Sequence, residues 1–321
     1  MVRSGLFVFS LAIAVSSAQA DVTVRQSLTL RFSPWVPQAV QQQILATGND
    51  VLPTESMLRV KGDRVYVNYG PLGAIVESGR NQVTLLNPRT KRFATLPLSE
   101  YLGQFATAQK KVTQPTEVRQ ALQNLHVEAR TQKTGRADTI KGIRAEESLI
   151  VLTVRTPEAQ ANASTMRMEM RYWIAQGAEI RKLPALKELA DFVDEVKQGF
   201  DPVRFLHGSI GAMPGFEQLN GALEELMKAS NGLVLKVHTG MYIPGLAQMV
   251  QLAPEGPPAG FDANAPMVEM DTSVAEISTE SIPDSVFAVP ASYQAAPLDE
   301  LIKAVIQVPQ QLPAPTGPPA R

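Results

Sequence analysis

Between positions 56 and 98 apolar and polar residues alternate with a period of two. Leu58 and Val60 precede Lys61-Gly62-Asp63, and Val65, Val67 and Tyr69 follow it. Alternation gives each strand one face to bury, and the glycine-containing tripeptide supplies a reversal, so the pattern predicts an antiparallel hairpin. The stretch 82–86, the turn residues Asn87-Pro88-Arg89-Thr90-Lys91 and the return over 93–96 predict a second hairpin. With a loop at 70–73, these four strands form a meander with one face for a core or cavity and the other for water.

The same reading extends outward. Residues 21–32 alternate loosely and predict a first strand, broken by Pro34 and Pro37 ahead of a short helix over 37–46. Ser99 is placed to cap a helix carrying Tyr101, Leu102 and Phe105, and a second short helix starts at Thr116. Strands are expected at 126–133 and 137–140, separated by a turn at Thr134-Gly135-Arg136, and again at 144–155. The cleanest alternation lies in 164–175: Met166, Met168, Met170, Tyr172 and Ile174 point one way, and Arg167, Glu169, Arg171 and Trp173 the other. Leu186, Leu189, Val193 and Val196 stripe a helix over 184–198, and Phe216, Leu219, Leu223 and Met227 stripe another over 214–229. Strands follow at 233–243 and 266–277. Val286 to Val289 is expected as a short closing strand or extended closure with Phe287 buried and Pro290 as its stop.

Composition narrows the classes. Residues 1–20 read as a signal peptide: Arg3, an apolar run from Leu6 to Val15, and Ala18-Gln19-Ala20 as a cleavage site, so that the mature chain begins at Asp21. A single domain is expected over 21–307, with a Pro-rich extended tail over 308–321. The 321 residues contain no cysteine, which excludes disulfides, thiolate metal sites and cysteine nucleophiles. No run after the leader is long enough for a membrane-spanning helix. A formal net charge of −1 argues against nucleic acid as the partner. Periplasmic or secreted localisation follows from the leader.

Catalytic chemistry finds little support. His126, His207 and His238 are far apart in sequence, and no Gly-x-Ser-x-Gly elbow is present. The glycine-rich stretch from Gly208 lacks the Lys and Ser/Thr of a phosphate loop. The expectation is therefore no enzyme and no cofactor. Three methionines on one strand face could hold Cu(I), since thioethers are soft donors. Tyr172 and Ile174 continue that face, however, which favours an adaptable apolar surface over a copper site.

A set of short motifs carries a family resemblance. They are Lys61-Gly62-Asp63-Arg64; the run 83–86 with the Asn87-Pro88 turn and Phe93; Thr134-Gly135 with the run 140–147; the run 172–175; and the run 282–293. Together they resemble an uncharacterised family of exported bacterial proteins, similar in fold to the periplasmic lipoprotein-localisation carriers. The resemblance implies an α+β fold: a half-open antiparallel β-barrel with helices covering the concave face and an apolar cavity between. It brings no catalytic residues.

The function expected from the sequence is an exported binding protein that holds an apolar small molecule, a lipid or acyl chain. Its ligand-binding residues are Met166, Met168, Met170, Tyr172 and Ile174, joined by Val65 and Val67 of the meander. Two alternatives stand beside it: an interaction or sensor module with a filled barrel and an envelope protein as partner, and a methionine-based Cu(I) protein.

Overall fold

The computed structural model describes residues 21–39, 41, 42, 45, 55–69, 72–101, 103, 104, 126–155, 166–196, 232–244, 256–258 and 260–301. The residues read as a leader, the helix expected at 214–229 and the Pro-rich stretch 308–321 lie outside these residues. So do most of the helices at 37–46 and 99–125.

One open sheet of twelve strands organises the described chain: β1 (Val22–Phe32), β2 (Glu55–Lys61), β3 (Arg64–Tyr69), β4 (Leu72–Glu77), β5 (Gln82–Asn87), β6 (Arg92–Pro97), β7 (His126–Ile140), β8 (Ile143–Arg155), β9 (Met166–Ala175), β10 (Leu233–Tyr242), β11 (Val268–Ser278) and β12 (Gln294–Ala295). The strand order is β12-β6-β5-β4-β3-β2-β1-β11-β10-β9-β8-β7, so the ends do not meet and the sheet is not closed. Every pairing is antiparallel except that of β12, which lies parallel to β6. Among the described residues few helices accompany the sheet; α1 (Gly177–Ile180) and α2 (Lys187–Val196) follow β9.

The meander forms as its alternation demands. Gly62, with φ of +59°, turns β2 into β3 where other residues would be strained. At the β5–β6 hairpin the Asn87 side-chain oxygen accepts the backbone N–H groups of Arg89 and Thr90 at 3.0 and 3.1 Å, and Lys91 takes a left-handed φ of +52°. Cross-strand register then sets Val22, Val60, Val65, Val76 and Val83 in one row, all buried. Burying each such side chain stabilises by roughly 1.5–3 kcal/mol. Leu186, Leu189, Ala190, Phe192 and Val193 join the same core, so α2 packs its apolar stripe against the meander.

Three elements differ from the alternation-based reading. Leu72 and Gly73, expected in a loop at 70–73, instead begin β4, and its residues from Leu72 to Val76 are all buried. Ala74 and Val76 belong to the main core, while Ile75 packs on the opposite face with Leu86, Ile282 and Phe287. A strand covered on both faces has no polar side, and so no period of two. The second difference is Thr134-Gly135-Arg136, which is no turn: β7 runs on to Ile140, and these residues loop out as a bulge between Lys133 and Ala137. Gly135, with φ of +76°, lets the strand absorb the extra residues.

Third, Asp284–Phe287 forms a 3₁₀ turn where a closing strand or extended closure was expected from Val286, with the Val286 N–H donated to the Pro283 carbonyl at 3.0 Å and the backbone extended only from Ala288. Phe287 is nevertheless buried, beneath the Arg64 guanidinium at 5.0 Å from its ring centre. The closing strand pairing lies beyond this turn, at β12.

Candidate ligand-binding face

The methionine strand β9 sits between β8 and β10. Register pairs Met168 with Leu152 and Met241, Met170 with Ile150 and Thr239, and Tyr172 with Ser148 and Val237. Paired residues share a face, so Ile150, Leu152, Met170, Tyr172 and Ile174 form a second apolar cluster, flanked by the partly buried Ala129, Met168, Val234 and Val237. Every described member comes from strands β7 to β10. Within it the Tyr172 hydroxyl donates to the Met170 sulfur at 3.3 Å, which occupies one of the thioether's two lone pairs.

Of the seven residues named from sequence, Met170, Tyr172 and Ile174 are core members of this cluster and Met168 packs against it. Met166 is half-buried at the start of β9 and pairs with Val154. Val65 and Val67 belong elsewhere. They lie in the main core that α2 joins, with 3% and 6% exposure, and are not in the methionine cluster. Sequence reasoning missed Ile150, Leu152, Val234 and Val237. Their own alternation was visible, but which strand they pair with is not written in a single strand's pattern.

The alternate residues of β9 carry charge. Arg171 approaches Glu147 and Glu169, each at 3.5 Å, and register sets it in one row with His238 and Asp271. The His238 ring Nδ1 lies 2.8 Å from the Asp271 carboxylate, which also pairs with Arg31. Arg31 in turn reaches Glu269 at 3.4 Å. This His–carboxylate pair was invisible in the sequence because 33 positions separate its members. It stands among ion pairs whose side chains, apart from the buried Glu147, are partly exposed, and each such exposed pair is worth up to about 1 kcal/mol.

A pocket of about 150 Å³ opens at the β7–β8 end of the apolar cluster, lined by Lys133, Arg136, Arg144, Glu146, Ser148 and Ile174 among others. Among the described residues no helix is long and apolar enough to cross a membrane, and no group of three or more His, Asp or Glu side chains is placed to hold a metal ion.

No family model matches the sequence, and no curated protein matches it. A solved structure that it resembles is the crystal structure of the Mycobacterium tuberculosis lipoprotein LppX, which is 10% identical, with 83% of this chain and 90% of that chain covered and a TM-score of 0.23. An overlap that low assigns neither fold nor function.

Proposed function

We propose that the chain is an exported, periplasmic or secreted, binding protein that holds an apolar ligand such as an acyl chain against the methionine face of its sheet. The observation that carries this reading is the second apolar cluster. It is built on β7 to β10, apart from the core that α2 seals, and Met168, Val234 and Val237 at its margin stay only partly buried. Methionine suits such a face because its unbranched thioether adapts to ligands of varied shape. The leader-like residues 1–20 support export, and the absence of cysteine suits a chain that needs no disulfide after export.

Met168→Glu tests it. A carboxylate at the margin of an apolar strip would have to be desolvated as the ligand docks, which is costly without a partner. Binding of a fluorescent fatty acid is expected in the wild type and strongly weakened in the variant, with circular dichroism unchanged. Equal binding by both proteins, or none by the wild type, overturns the reading.

A further inference from the structure

We infer that the pocket at the β7 bulge receives the anionic head group of an amphiphile whose chain lies on the methionine face. The inference rests on the acyl-binding reading above and adds what that reading leaves open, the chemistry of the ligand's polar end.

The strand register connects the two regions. Lys133 of β7 pairs with Ser148 of β8, which pairs with Tyr172 of β9, which pairs with Val237 of β10. One row of one sheet face therefore begins at a lysine and runs into the apolar cluster. The next row contains Glu146 and Ile174, and Ile174 both lines the pocket and belongs to the cluster. The pocket is thus the polar end of the apolar strip.

Its charges are unevenly matched. Arg144 is paired with Glu146 at 3.0 Å, and the buried Glu147 with Arg171 at 3.5 Å. Lys133 and Arg136 have no carboxylate partner among the described residues and lie exposed at the rim. The bulge holds this rim in shape. Thr134 Oγ1 donates to the Glu147 carbonyl at 3.2 Å and accepts the Arg136 N–H at 3.2 Å, while Gly135 makes the left-handed turn between them. A volume of about 150 Å³ suits a compact head, since pockets that enclose whole drug-sized ligands run to about 300–1,000 Å³. Two cations without carboxylate partners at the end of an apolar strip are complementary to a carboxylate or phosphate carried on a hydrocarbon chain.

The test compares a fluorescent long-chain fatty acid, its uncharged methyl ester and inorganic phosphate, each titrated against wild type and a Lys133→Gln/Arg136→Gln double variant. Wild type is expected to bind the acid about tenfold tighter than the ester, the gain of one charge-assisted hydrogen bond. In the double variant that preference should vanish while ester binding is unchanged. Equal binding of acid and ester by wild type, or a preference that survives the double substitution, overturns the head-group site and leaves the acyl-binding reading standing. Failure of wild type to bind either lipid overturns both. Inorganic phosphate bound as tightly as the fatty acid would make this a free-anion site and overturn the amphiphile.

Discussion

The Asp21 carboxylate accepts the backbone N–H of Ile282 at 2.5 Å, joining the start of the first strand to a segment 261 positions later. Lys61 completes the link, donating to the Ile282 carbonyl at 2.6 Å while lying 3.6 Å from Asp21 and 3.1 Å from Asp284. The junction holds the segment carrying Ile282 and Phe287 over Ile75 and Leu86, which is what covers the outer face of β4. Removing either half of the attachment should therefore be costly. Phe287→Ala is expected to destabilise by about 3 kcal/mol, as a large-to-small core substitution does. Asp21→Ala, which leaves a buried N–H unsatisfied, should cost about 1–3 kcal/mol. Urea titration reads both, and a loss below about 1 kcal/mol for Phe287→Ala would put this cluster outside the cooperative core.

Glu188 of α2 gives the fold a pH signature. Burial holds its carboxyl above the usual carboxylate range, and the Gly62 N–H, donated to it at 3.3 Å, offsets this only in part. The folded chain then binds a proton more readily than the unfolded chain. Stability contributed by this group accordingly falls as pH rises from the ordinary carboxylate value through the raised one. Glu188→Gln keeps an acceptor for Gly62 and removes the charge, so the variant should be more stable than wild type at neutral pH. Asp284 acts with the opposite sign. Arg64 and Lys61 hold it below the usual range, so its contribution is present above the ordinary value and lost as pH falls through the lowered one. Urea midpoints measured across pH for wild type and Glu188→Gln separate the two, and a Gln variant that is less stable at neutral pH contradicts the assignment.

Copper binding at the methionine strand is expected to be absent. The Met170 sulfur already accepts the Tyr172 hydroxyl, and alternate residues of a strand stand about 7 Å apart. Replacing Met166, Met168 and Met170 together by Leu should leave the fold intact at a cost of less than about 1.5 kcal/mol per site, because the volumes are close. A competition assay with a Cu(I) chelator should detect no affinity in the wild type. Tight, stoichiometric binding that disappears in the triple variant would restore the metal reading.

The β2–β3 hairpin and the alternation of β9 were legible because a period of two records a strand with one wetter face, and the β5–β6 hairpin, whose β5 is buried from Val83 to Asn87, was legible from its Asn87-Pro88 turn. Strand β4 was not, since the main core covers one of its faces and the Ile282–Phe287 segment the other. The β7 bulge read as a turn because glycine marks either, and only the pairing of Ala137 with Glu146 tells them apart. For the candidate face, one strand's contribution could be read and its partners could not. Val65 and Val67 alternate as cleanly as the methionines, yet four strands, β2, β1, β11 and β10, separate theirs from β9 in the sheet. Periodicity says that a residue is buried, and register says with whom.

The position of β1 bears on how the chain assembles. Strands β2 to β6 pair with their sequence neighbours, as do β7, β8 and β9, and a β1–β11 ladder is the seam between the two halves. Residues joined across it, such as Arg31 and Glu269, lie 238 positions apart. Closing so large a loop costs more entropy than any hairpin, and non-local pairing of this kind slows folding. Each half can gather its own ladder early, with β1 waiting on the meander side until β11 arrives. Zipping of β1 onto β11 then sets the pace of folding, and substitutions along that seam should slow refolding more than equally destabilising ones within either half.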